Sequence, residues 1–89
     1  MFEWDEKKST GNLKKHGISF EEASLIFEGP TLSWTDDRID YGEQRTVSIG
    51  LIQGVVAVAV VHTDRKGKTR IISARLANRR ERKFYDDHQ

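Results

Sequence analysis

Two β-rich runs, Arg45 to Ile52 and Val55 to Thr63, are separated only by Gln53-Gly54. Two residues ending in glycine between such runs predict a hairpin, because glycine reaches the left-handed backbone that tight, twisted turns require. This hairpin constrains the fold more than any other feature, since its register decides which side chains share a face. With Ile52 opposite Val55, the count pairs Leu51 with Val56, Ile49 with Val58, Val47 with Val60 and Arg45 with His62. Those residues form a bulky face, expected to be the core beneath helices. The other face carries Gly50 with Ala57, Ser48 with Ala59 and Thr46 with Val61, and is expected to be shallow and open.

A turn at Asp64-Arg65-Lys66-Gly67-Lys68 returns the chain into a further strand, Thr69 to Leu76, with Thr63 opposite Thr69. On that register Arg45, His62 and Arg70 form one row on the core-facing side, while Arg75 and Ser73 face the opposite way. Thr31 to Thr35 is another strand, followed by a polar loop, Asp36 to Gly42, whose Asp36, Asp37 and Asp40 are expected in solvent.

Upstream the period is helical. Asp5 caps a helix limited by Gly17, with Lys14, Lys15 and His16 beside its negative end. Ser19-Phe20-Glu21-Glu22 is a capping box, and Phe20, Ala23, Ile26 and Phe27 follow at helical spacing until Gly29-Pro30. Ala77 to Tyr85 reads as a basic final helix. The order predicts an α+β fold in two layers, with N-terminal helices on one face of a mainly antiparallel sheet and a C-terminal helix.

Eighty-nine residues suit one domain, residues 1–89, with a modest core. The absence of cysteine excludes disulfides and thiolate metal sites. Val55 to Val61 is the longest apolar run, far short of the roughly 20 residues a membrane helix needs. Met1-Phe2-Glu3-Trp4-Asp5 is not a secretory start. These features predict a soluble, cytoplasmic protein without membrane contact. Charge is polarised: net +1 overall, but nine cations against Glu81 alone from Arg65 to Lys83, a local charge of +8. Such a segment points to phosphate or to an acidic partner.

Two arginines flanking a histidine repel without an anion. The row of Arg45, His62 and Arg70 is therefore either a salt-bridge network, with Glu43 or Glu81 as partner, or a phosphate pocket. Arg75, on the open face, suits an RNA backbone, and Arg82 and Tyr85 share one helix face. His62 either ends a core strand or moves protons, and Tyr85 either packs or acts. Lys14 and Lys15 are either a solvated helix surface or phosphate contacts. Trp34 either packs, contacts a partner protein or stacks on a base. His16, His62 and His88 are scattered, so no metal or other cofactor is expected.

The order Phe2-Glu3-Trp4-Asp5, then Asn12 to Ala23, Gly42-Glu43-x-Arg45, Arg70 to Ala77 and Glu81-Arg82-x-x-Tyr85 resembles the BrnT toxin family over nearly the whole chain. The resemblance implies a fold similar to the RelE ribonuclease toxins and an endoribonuclease that inhibits translation. It also implies a BrnA-like antitoxin with a ribbon-helix-helix domain, DNA being reached only through that complex. RNA cleavage without a metal needs a base at the 2′-hydroxyl, cations around the phosphorane and an acid for the leaving oxygen. Arg45, His62, Arg75 and Tyr85 are the catalytic candidates, and Arg70, Arg82, Lys14 and Lys15 the RNA-binding ones. The Arg75 face is favoured, with the Arg45 row as its rival. The alternative is a non-catalytic RNA- or protein-binding module of the same fold.

Overall fold

Local capping sets the N-terminal elements of the computed structural model, which describes residues 1–37 and 42–89. Strand β1, Phe2–Glu3, leads to Asp5, whose carboxylate accepts from the Lys7 and Lys8 amides and starts helix α1, Glu6–His16. Gly17, at φ 77°, ends α1 in the left-handed region that glycine tolerates. The Ser19 and Glu22 side chains cap reciprocally to open α2, Phe20–Ala23, which tightens into a 3₁₀ turn, Ser24–Glu28. Strands β2, Leu32–Asp36, β3, Arg45–Ile52, β4, Val56–Arg65, and β5, Lys68–Leu76, follow. The chain finishes in α3, Arg79–Asp87. Among the described residues, the strands form one sheet in the order β1-β5-β4-β3-β2, antiparallel except for the β1–β5 pair.

The hairpin is present, but its register differs by one residue from the expected one. Gln53 and Gly54 both take positive φ, and the Val55 amide donates to the Ile52 carbonyl at 3.0 Å. Val55 is then an extra residue, so Ile52 pairs with Val56, Ile49 with Ala59 and Thr46 with His62. At the next turn Lys66 and Gly67 are both left-handed, which lets Arg65 pair with Lys68 and Thr63 with Arg70. A bulge between Val61 and His62 shifts the far half of that ladder by another residue. The expected row of Arg45, His62 and Arg70 therefore does not form: His62 and Arg70 belong to opposite faces.

The new register mixes large and small residues on each face. Val58, Val60, Ile71 and Ala74 pack against Ile18, Phe20, Ala23 and Ile26 from the N-terminal segments. On the reverse face Val47, Ile49 and Ala59 pack against Tyr85 of α3. The C-terminal helix thus covers part of the face opposite the N-terminal helices. Gly50, expected on the open face, sits beneath the 3₁₀ turn, where an added Cβ would come within 2.8 Å of Ile26 Cβ. Its missing side chain makes room for the Ile26 backbone and side chain.

Asn12, on α1, closes part of β5's outer edge. Its Nδ2 donates to the Ala74 carbonyl at 2.8 Å and its Oδ1 accepts from the Ala74 amide at 3.3 Å, as a neighbouring strand residue would. The same Nδ2 donates to the Ile18 carbonyl. None of the described helices is long and apolar enough to cross a membrane.

Candidate active site

Alternation along β5 turns Ser73 and Arg75 away from the N-terminal helices, onto the face that α3 only partly covers. There a pocket of about 390 Å³ opens, floored by Val47, Ala59 and Val61 and walled by Trp34, Asp36, Asp37, Ser73, Arg75 and Glu81. β2 supplies the aromatic and acidic wall, β5 the cation, and the first turn of α3 the opposing carboxylate.

Arg75 is aligned by a two-pronged contact. Its Nη1 donates to Glu81 Oε1 at 2.7 Å and its Nη2 to Oε2 at 2.8 Å. Glu81 Oε1 also accepts from the Asn78 amide at 2.9 Å, while the Asn78 side chain accepts from the Glu81 amide. The cap that starts α3 therefore also points the Arg75 guanidinium. The hydrogen bond from Arg75 holds the Glu81 carboxyl below its ordinary 4.5, with the Asn78 amide adding to the effect and burial opposing it.

Among the described residues, Arg75 alone of the catalytic and phosphate-binding candidates lines this pocket, with Trp34, the base-stacking candidate, in its wall. Arg45 lies two residues before Val47 on the same face of β3 and pairs in register with Asp36, but its side chain meets Glu43 at 3.5 Å. Glu43 also accepts from Arg65 at 3.1 Å, and this bond leads the effects that lower its carboxyl's pKa. Arg70 bonds Glu3 of β1 at 3.0 Å. Arg82 donates to the Val55 carbonyl at 3.1 Å and pairs with Asp86. Tyr85 is 3 % exposed and its hydroxyl donates to the Pro30 carbonyl at 2.7 Å, joining α3 to the approach to β2. Lys14 and Lys15 are exposed on the last turn of α1, the helix packed on β5.

His62 faces the helices. Its Nε2 is hydrogen-bonded to Ser48 Oγ at 2.7 Å, Ser48 Oγ lies 2.6 Å from Ser33 Oγ, and Phe27 stacks edge-on at 5.1 Å. Its Nδ1 is buried with no hydrogen-bond partner among the described residues. Burial holds the imidazole below its ordinary 6.5, against the pull of Asp64. Protonation would place N–H groups on both ring nitrogens and leave the Nδ1 proton without an acceptor.

Glu81, Asp36 and Asp37 enter the site without having been singled out for it. Asn78-Arg79-Arg80-Glu81 carries a capping-box pattern that places Glu81 in a first helical turn just beyond Arg75. Asp36, expected in solvent, is buried as the last residue of β2, because that strand continues one residue further than Thr35. Asp40 and Arg38 lie outside the described residues.

The family model described as "Ribonuclease toxin, BrnT, of type II toxin-antitoxin system" matches residues 4–81. The chain belongs to the BrnT family. A BrnT chain is a ribonuclease toxin of a type II toxin–antitoxin system, and such a system includes an antitoxin partner. In fold, the chain is similar to the Brucella abortus ribonuclease toxin BrnT, known from a 1.1 Å crystal structure, with a TM-score of 0.65. The two share 24 % identity over 89 % of this chain and 99 % of the Brucella chain. No curated protein sequence matches the chain. The BrnT match spans the pocket's walls from Trp34 to Glu81.

Proposed function

We propose that the whole chain is one toxin domain, a metal-independent endoribonuclease that holds its scissile phosphate at Arg75 and inhibits translation. The observation that carries this reading is the two-oxygen grip of Arg75 on Glu81. A phosphodiester's two non-bridging oxygens match the same guanidinium fork. Membership of the BrnT family supports the reaction class.

In this reaction the ribose 2′-oxygen forms a bond to the adjacent phosphorus while the phosphorus–5′-oxygen bond breaks. The products are a 2′,3′-cyclic phosphate and a 5′-hydroxyl. Arg75 offsets the charge that accumulates on the phosphorane oxygens, the stage at which a fixed cation lowers the barrier. Asp37, exposed at the pocket wall where β2 ends, takes the proton from the 2′-hydroxyl, and solvent water supplies the proton to the departing 5′-oxygen. Glu81 is less suited to that step, because both of its oxygens are already engaged by Arg75. The exposed basic residues Lys14, Lys15, Arg79 and Arg80 bind RNA phosphates outside the pocket.

The partner in this reading is a BrnA-like ribbon-helix-helix antitoxin that covers the basic surface, and operator DNA is met only through that complex. The fold relation extends to the RelE ribonuclease toxins, and the site of action is the cytoplasm.

The test is purified protein incubated with RNA in excess chelator, beside Arg75→Ala. Wild type is expected to release fragments ending in 2′,3′-cyclic phosphate, and the variant to release few. Cleavage that requires an added divalent metal would overturn the mechanism. RNA binding without cleavage under any condition would leave a binding module.

A further inference from the structure

A second concavity adjoins the Arg75 pocket and shares two of its walls. This groove, about 520 Å³, lies among Leu32, Ser33, Trp34, Arg80, Glu81 and Phe84, and Trp34 and Glu81 border both cavities. We propose that Trp34 and Phe84 form a nucleobase-stacking subsite that holds an unpaired RNA base next to the phosphate bound at Arg75. The inference rests on the ribonuclease reading above and adds what the site recognises.

Trp34 is 38 % exposed and Phe84 45 %, although each is large enough to anchor a core. They meet nearly perpendicular, at 83° with centroids 6.3 Å apart. A perpendicular contact takes at most one face of the indole, and more than a third of the residue is exposed, which leaves surface for a flat ring. Phe84 is backed in turn by His88, with centroids 4.2 Å apart. This support fixes the platform from α3, while the β2 backbone fixes it from the sheet.

The surrounding charges suit a nucleotide rather than a purely apolar ligand. Arg80 lines the groove and makes no ion pair among the described residues. Arg75 stands beyond the shared wall in the adjoining pocket. An apolar slot between two guanidinium groups matches a base flanked by phosphates, the arrangement by which proteins hold single strands. A base can enter only when unstacked from its neighbours, so the subsite selects single-stranded RNA over duplex.

The probe is a single-stranded 2′-O-methyl RNA oligonucleotide, which lacks the attacking hydroxyl. Its binding is measured by anisotropy of a dye on its end, against the full-length chain. Trp34→Ala and Phe84→Ala are each expected to weaken binding about tenfold, while Trp34→Phe, which keeps an aromatic face, restores most of it. An oligonucleotide with abasic positions and intact phosphates should bind wild type and Trp34→Ala equally. In cleavage assays Trp34→Ala should raise KM with little change in kcat, as expected for lost ground-state binding. Circular dichroism confirms that each variant is folded.

Wild-type affinity in both folded alanine variants would overturn the subsite, and RNA cleavage by wild type would then leave the ribonuclease reading standing. Trp34-dependent binding of the probe without cleavage of ordinary RNA would do the reverse. Loss of antitoxin binding in Trp34→Ala with RNA affinity unchanged would assign the groove to the protein partner and overturn the proposal.

Discussion

Glu81 meets Arg75 oxygen by oxygen, at 2.7 and 2.8 Å, in the arrangement a phosphate would take on the same guanidinium. On the proposed reading, an RNA phosphate at Arg75 would compete with a carboxylate that also caps α3. Substrate entry would then be coupled to the first turn of the final helix, and Glu81 already holds the Arg75 fork in the orientation a phosphate would need.

Arg75→Lys preserves the charge but not the fork. The expected result is a fall in kcat of about 10²- to 10³-fold, the range for removing a preorganised transition-state contact. Single-turnover cleavage measures it. A lysine variant cleaving at the wild-type rate would show that Arg75 supplies only charge.

The Glu81 contact also sets an acid limit on stability. Its folded pKa lies below the ordinary 4.5, so its contribution is present above that value and is lost as pH falls below it through the folded pKa. Glu43, lowered by Arg65 and Arg45, acts in the same window. Thermal melts from pH 6 to pH 3 should show a falling Tm, and Glu81→Gln should make the fall shallower. An unchanged slope in that variant would contradict the assignment to Glu81.

His62 gives a separate pH dependence. Burial lowers its folded pKa below 6.5, so the unfolded chain binds the proton more readily and stability declines as pH drops through and below 6.5. The decline ends at the folded pKa. His62→Gln should remove this step in Tm between pH 7 and pH 5 while leaving the lower carboxylate step in place. Titration of the imidazole by NMR above 6.5 would refute the prediction.

Gly50→Ala forces a methyl group against Ile26 and Thr31, with the nearest atom 2.8 Å away and the Ile26 carbonyl at 3.1 Å. Backbone cannot yield as a long side chain does, so the expected cost is about 1–3 kcal/mol in urea unfolding. Since Gly50 faces away from the pocket, cleavage per folded molecule should hold. A neutral effect on the urea midpoint would mean that the 3₁₀ turn repacks freely.

Tyr85→Phe tests whether that hydroxyl anchors or reacts. Loss of its bond to Pro30 should cost about 0.5–1.5 kcal/mol with cleavage retained. A fully folded variant whose kcat collapses would give the hydroxyl a chemical role.

The limits of α1 and the start of α2 were legible because capping is local, with Asp5 and Ser19 acting within three residues of themselves. By contrast, α3 runs from Arg79 to Asp87 rather than Ala77 to Tyr85, because Asn78 caps it. The strands were legible too, but their register depends on contacts remote in sequence. One extra residue at Val55 separated Arg45 from His62, and the tight Lys66-Gly67 turn, by pairing Thr63 with Arg70, separated His62 from Arg70. The facing of Arg75 with Ser73 survived, because alternation within a single strand does not depend on its neighbour. By sequence Glu81 is a possible partner for the Arg45 row, but its place in the cap of α3 sets it beside Arg75 instead. Sequence leaves Trp34 between packing and stacking, because its contact with Phe84 depends on α3 returning beside β2, which no local pattern encodes.

The side chain of Asn12 acts as a surrogate strand at Ala74, and β1 occupies the same margin of the sheet at Thr69 and Arg70. The first dozen residues therefore serve as a hem. A chain trimmed past Asn12 would leave this margin of β5 with raw backbone amides and carbonyls, the kind of border along which unrelated chains adhere. Shortening the protein from its N-terminus would thus make it sticky before it made it small.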